Sequence, residues 1–155
     1  MANIEINIES PVKYYDFKDQ HGEVLATLRF VPSDMGIYTR HESVVAAFEK
    51  IVTEIEELKK DDKAELPPEV MKKYENQLKE KIDYLFNADT SKFFEIASPF
   101  TPMENGMMWG ETIIYKVMEI VKEVTGKSMA EVDKKVQQYT EKYKAGPGGY
   151  LRPAK

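Results

Sequence analysis

Isoleucines at positions 4, 6 and 8 alternate with Asn3, Glu5, Asn7 and Glu9, the period of two that marks a half-buried strand. Pro11 interrupts the run because it lacks a ladder donor. The pattern predicts a strand from about Ile4 to Ile8. Two more apolar-rich runs, Val12 to Phe17 and Glu23 to Val31, flank Lys18-Asp19-Gln20-His21-Gly22, a turn-rich link ending in glycine. That arrangement predicts a hairpin. In its second arm Val24, Ala26, Leu28 and Phe30 share one face, which is expected to cover the helices that follow.

At Pro32-Ser33-Asp34 the period changes, since a Ser or Asp side chain can accept from the free amides that open a helix. Val44, Val45, Phe48, Ile51, Val52, Ile55 and Leu58 recur at steps of three and four. They predict an amphipathic helix over about 34–60. A charged break, Lys59-Lys60-Asp61-Asp62-Lys63, reads as a solvated turn. Pro67 and Pro68 suit the first turn of a second helix, over about 67–86, with an inward stripe of Val70, Met71, Tyr74, Leu78, Ile82 and Leu85. A third stripe, Trp109, Ile113, Val117, Ile120, Val121 and Val124, is stopped by Thr125-Gly126 and predicts a helix over about 107–125. Ser128-Met129-Ala130-Glu131 is a capping-box sequence. It predicts a fourth helix over 129–144, with Met129, Val132, Val136, Tyr139 and Tyr143 as its seam. Gly146-Pro147-Gly148-Gly149 cannot continue a helix, so 145–155 is read as a flexible tail.

Between the second and third helices, Ile82 to Gly110 holds too many turn formers for one helix, yet it keeps Phe86, Phe93, Phe94, Ile96, Phe100 and Trp109. A connector so rich in rings is expected to be ordered by burying them. Phe86, Phe93, Phe94 and Phe100 are its expected inward anchors. Met103, Met107, Met108 and Trp109 lie together in sequence. Flexible thioethers beside an indole suit an adaptable contact with a partner, although methionine and aromatic stripes at helical spacing are more often core.

Composition adds limits rather than chemistry. With 155 residues, 42% hydrophobic and 32% charged, the chain suits one domain, 1–144, with one core. It has no cysteine, so thiolate metal sites and disulfides are excluded, as suits a reducing cytoplasm. A net charge of -5 argues against nucleic-acid binding, which needs a clustered positive face. No apolar run approaches the roughly 18 residues of a membrane helix. His41-Glu42 opens like a zinc-protease motif, but Val45 stands where the second histidine belongs. His21 falls in the expected turn and reads as a solvated polar residue. The acidic run Glu54, Glu56, Glu57, Asp61, Asp62 lacks the alternation and central glycine of a calcium loop. No catalytic constellation, metal site or cofactor site is assembled from these residues, so the expectation is a non-enzymatic protein.

The motif order carries a resemblance. A hairpin ending in Phe30-Val31-Pro32-Ser33-Asp34, then Arg40 leading into a helix, then Ile82-Asp83-Tyr84-Leu85-Phe86-Asn87-Ala88-Asp89-Thr90 resembles the tail assembly chaperones of long-tailed bacteriophages of Gram-positive bacteria. In that family a leucine-phenylalanine-glycine step follows the second helix. Here Asn87 replaces the glycine, and asparagine can share its left-handed conformation. Phe93-Phe94, Pro99-Phe100 and Asn105-Gly106 fill the later slots, and the similarity spans roughly residues 12 to 125. The resemblance implies an assembly factor in the host bacterial cytoplasm, absent from the mature virion. It would bind and solubilise the tape measure protein and help recruit tail tube subunits. It further implies that a longer, frameshifted form is often made.

The combined expectation is an α+β, mostly helical fold: an N-terminal β-hairpin over about 3–31 packed on a bundle of about four helices. Met103, Met107, Met108 and Trp109 are the candidate partner-binding residues, and Val132, Val136 and Tyr139 the candidate self-association residues of a homo-oligomer. The competing class is an unrelated bacterial regulatory or adaptor module acting through helix-mediated dimerisation.

Overall fold

The computed structural model describes residues 2–62 and 66–144, with side chains for 2–60 and 66–138. Strand β1 (Lys13–Lys18) pairs antiparallel with β2 (Val24–Phe30), setting Tyr15 opposite Leu28 and Phe17 opposite Ala26. Helices α1 (Gly36–Asp62), α2 (Pro68–Phe86), α3 (Ser91–Ile96) and α4 (Trp109–Lys144) follow. The fold is therefore α+β and mostly helical, a two-stranded sheet followed by four helices among the described residues.

The hairpin turns through Gln20-His21-Gly22. Asp19 N–H donates to the Glu23 carbonyl at 2.9 Å, and Gly22 takes a φ of +83° that side chains disfavour. The Asp19 carboxylate accepts from the His21 and Glu23 amides, so His21 serves the turn through its backbone. On the sheet's inner face Ala26, Leu28 and Phe30 are buried, but Val24 is exposed. The register slips between Phe17 and Lys18, and this bulge frees Val24 from the face expected of it.

Residues 3–9 form no strand. Ile4, Ile6 and Ile8 stand 89%, 79% and 86% exposed, since period-two sequence makes a strand only where an edge receives its amides. The helices expected over 107–125 and 129–144 are one helix, α4. Glycine costs a helix only about 1 kcal/mol relative to alanine. The Lys127–Glu123 ion pair at 3.1 Å spans Gly126. Ser128 and Glu131 thus lie mid-helix and cap nothing. The working cap is at the true start, where Glu111 Oε1 accepts from the Met108 N–H at 3.1 Å. The connector is not loop throughout, because α3 forms within it.

Phe30 meets Phe86 at 6.1 Å between ring centroids, and Phe17 meets Phe93 at 5.2 Å, both edge to face. Leu78, Ile82 and Leu85 from α2 and Ile113, Val117 and Val121 from α4 complete the same core. Phe100 is half-buried and tilts against Phe48 of α1 at 6.4 Å, while Ile96 points largely to solvent.

Arg40 ties α1 to the end of α2. Its Nε donates to the Leu85 carbonyl at 3.0 Å, its Nη2 to Asp34 Oδ2 at 2.9 Å, and its guanidinium lies 5.9 Å from the centre of the Tyr84 ring. Asp34 Oδ1 meanwhile accepts from the Gly36 amide at 2.9 Å. The Arg40 hydrogen bond, with the Gly36 amide, holds the Asp34 carboxyl below its ordinary value of 3.8.

Two outcomes are expected. A carboxylate with a depressed pKa stabilises the fold above its unfolded pKa, and that contribution is lost as pH falls through the folded value. The side chains are 20% and 35% exposed, so solvent screening limits the cost of Asp34→Asn at pH 7 to about 1 kcal/mol. Urea midpoints should show that cost shrinking below pH 3.8; a constant difference would remove the ion pair from the account. Phe93→Ala, by opening a cavity under the sheet, should cost about 3–5 kcal/mol in the same assay.

Candidate functional site

The chain around the methionine cluster is built by a second tight turn. Met103 N–H donates to the Met107 carbonyl at 2.9 Å, Gly106 takes a φ of +85°, and Asn105 Oδ1 accepts from the Met107 amide at 2.9 Å. This is the same three-residue loop as Gln20-His21-Gly22. The turn is stitched to the start of α4, where Trp109 N–H donates to the Thr101 carbonyl at 2.7 Å and Gly110 N–H to the Pro99 carbonyl at 2.8 Å. At Gly110 a methyl group would stand 3.0 Å from Pro99 Cβ and 3.1 Å from its carbonyl oxygen. Only glycine lets the helix start this close.

The four candidate residues are separated by this construction. Trp109 is 8% exposed, and its indole N–H donates to the Phe93 carbonyl at 2.8 Å. It is a core residue with a satisfied polar tip. Met103 and Trp109 help line a cavity of about 500 Å³ under the hairpin turn, with Phe17, Leu25, Phe93 and Ile96, while Lys18 and Lys116 flank its mouth. Met107 points elsewhere, to a groove of about 320 Å³ between α1 and α4. Met108 is half-buried and pairs through its backbone with Pro102.

The groove between α1 and α4 has an apolar floor of Val45, Phe48, Met107, Ile114 and Met118, and a rim that includes His41, Glu49 and Lys122. Sequence periodicity assigns Val45 and Phe48 to the buried stripe of α1. They widen that stripe instead and leave part of it open. The adjacent pair Val44-Val45 was the available signal, because two neighbouring apolar residues point about 100° apart on a helix and cannot both face one core. Met118 carried no such signal.

The anchors Phe86, Phe93 and Phe94 are buried; the end of α2 after Phe86 is where the sequence places it, whereas α3, which carries Phe93 and Phe94, escaped sequence reasoning. Asn87 ends α2 in the left-handed conformation, with φ 49° and ψ 51°, while Asn87 N–H reaches the Tyr84 carbonyl and Ala88 N–H the Asp83 carbonyl. That is the glycine-type stop, filled by asparagine. Asp83 Oδ1 then accepts from both the amide and the hydroxyl of Thr90, which is buried.

Of the self-association candidates, Val132 and Val136 are 50% and 56% exposed on α4. Tyr139 lies outside the residues whose side chains are described, as does the expected tail over 145–155. Met129 shares the stripe, and every described side chain from Gly126 onward is exposed. Among the described residues no cluster of three histidine or acidic side chains could hold a metal ion, and no helix is long and apolar enough to cross a membrane.

Because Val136 is exposed and lies outside the hydrophobic core, Val136→Glu should leave the thermal transition in place. If α4 pairs copies, the variant should lower the particle mass seen by light scattering, since burying an unpaired charge is costly. An unchanged mass would take this stripe out of self-association. Comparison with protein-family models, curated proteins and solved structures finds no match to this chain.

Proposed function

We propose that this protein is a tail assembly chaperone of a long-tailed bacteriophage, non-enzymatic, binding the tape measure protein and keeping it soluble while tail tube subunits assemble around it. The observation that carries the reading is the open groove between α1 and α4, with its apolar floor and charged rim. Such a groove suits one face of an amphipathic client helix, and thioethers at Met107 and Met118 adapt to a stripe of varied side chains. The motif order from Phe30 to Gly106 supplies the family resemblance. In this reading the protein works in the host bacterial cytoplasm and does not remain in the mature virion.

The second reading, a regulatory or adaptor module that dimerises through helices, draws on the exposed Met129, Val132 and Val136 stripe of α4. A gene for a long tape measure protein directly downstream favours the chaperone; its absence favours the adaptor.

Co-expression with the cognate tape measure protein should raise the soluble yield of the client. Met107→Ser combined with Met108→Ser should reduce that yield and leave the transition temperature of the isolated protein nearly unmoved. A transition many degrees lower would make the methionines core. A wild-type protein that neither binds nor solubilises the client would end the chaperone reading.

A further inference from the structure

Strand β1 has one paired edge and one bare edge: β2 occupies the first, and no strand among the described residues occupies the second. On its inward face Tyr15 and Phe17 are only half-buried, although Ala26, Leu28 and Phe30 on β2 are fully covered. The sheet is thus unfinished on the β1 side. The same chain holds an unused strand-like segment, the arm over residues 3–9, whose three isoleucines are largely exposed. A bare edge and a free alternating strand are the two halves of a strand-addition contact.

Register decides whose arm fits. Residues paired across an antiparallel ladder share a face, so the isoleucines join Tyr15 and Phe17 only when even-numbered arm residues oppose odd-numbered β1 residues. The register with Ile8 opposite Tyr15 and Ile6 opposite Phe17 buries both isoleucines on aromatic rings. It also sets Glu5 opposite Lys18 and Asn7 opposite Asp16, and it carries Ile4 past the end of β1 toward the cavity lined by Phe17, Asp19 and Trp109. Acid meets base, and no like charges face each other.

A chain cannot place its own arm in this register. Ser10 would oppose Lys13, leaving Pro11-Val12 as the whole loop, and two-residue hairpin loops need a positive φ at their first position. Proline fixes φ near about -65°. Ser10, preceding a proline, is also pushed toward extended backbone, away from reversal. Sliding the own-chain register to allow a four-residue loop, Glu9 to Val12, sets Ile8 against Lys13 and Glu5 against Asp16. That pairing wastes an isoleucine and opposes two carboxylates.

We propose that the arm over residues 3–9 adds as a strand to β1 of a second copy, which returns its own arm in exchange. The contact is isologous and closes as a dimer, because each copy carries one arm and one bare edge. Pro11 sits where the apolar phase changes from even positions in the arm to odd positions in β1, a place where a ladder can break without cost to either side.

The chain has no cysteine, so introduced thiols report unambiguously. Asn7→Cys and Asp16→Cys, made in separate full-length chains, mixed and treated with a short bis-maleimide, should give a covalent pair joining one chain of each kind. The double variant, diluted far below the concentration at which the mixture links, should give no link within one chain. Ile6→Asp together with Ile8→Asp should suppress the covalent pair at least tenfold. Since these side chains are largely exposed in their own copy, the thermal transition of dilute protein should be unmoved. A link within single diluted chains means the arm folds back on its own sheet and overturns the proposal. So does a mixture that yields no pair, or a yield unchanged by the two aspartates.

Discussion

Everything after α2 is placed by the way that helix ends. Asn87 accepts the left-handed conformation, the amide of Ala88 closes on Asp83, and the Asp83 carboxylate then takes both polar groups of Thr90. These bonds reverse the chain within four residues. The reversal delivers Phe93 beneath Phe17 and lets the Phe93 carbonyl receive the indole of Trp109. From the other side Arg40 takes the Leu85 carbonyl, one of the acceptors a helix end leaves without an internal partner. A single helix terminus thus joins the first helix, the short third helix and the start of the fourth.

That junction explains what could and could not be read from the chain. The hairpin, the two long helices after it and the burial of Phe86, Phe93 and Phe94 follow from periodicity and ring content, which local sequence carries. Asn87 as a helix stop was legible because asparagine tolerates positive φ. The partner of Arg40 was not, since its acceptor is a backbone carbonyl 45 residues away, and every residue has a carbonyl. Gly126 and Ser128 misled for the converse reason. They carry the right chemistry for a stop and a start, but a glycine ends a helix only when the chain must turn there, and α4 has nothing to turn toward.

The candidate binding residues show a similar limit. Proximity in sequence grouped Met103, Met107, Met108 and Trp109, while the three-residue turn at Asn105-Gly106 and the tight approach of Gly110 to Pro99 send them to different places. Trp109 became a fixed post with its polar atom satisfied; Met107 was left on an open groove. Tight turns divide neighbours in sequence, and no hydropathy pattern records which way each one goes.

The unbroken course of α4 has a mechanical consequence. An α-helix advances about 1.5 Å and rotates about 100° per residue, so Val136 lies roughly 22 Å beyond Val121 along the axis at a fixed azimuth. The projecting stripe of Met129, Val132 and Val136 continues, within about 80°, the side of the helix that faces the core through Val121. Anything gripping that stripe is therefore oriented about the helix axis as well as held at a distance. Substitutions along the shaft would leave this phase intact, but one residue inserted beside Gly126 would turn the whole gripping surface by more than a quarter of a revolution. The shaft is tolerant of spelling and intolerant of length.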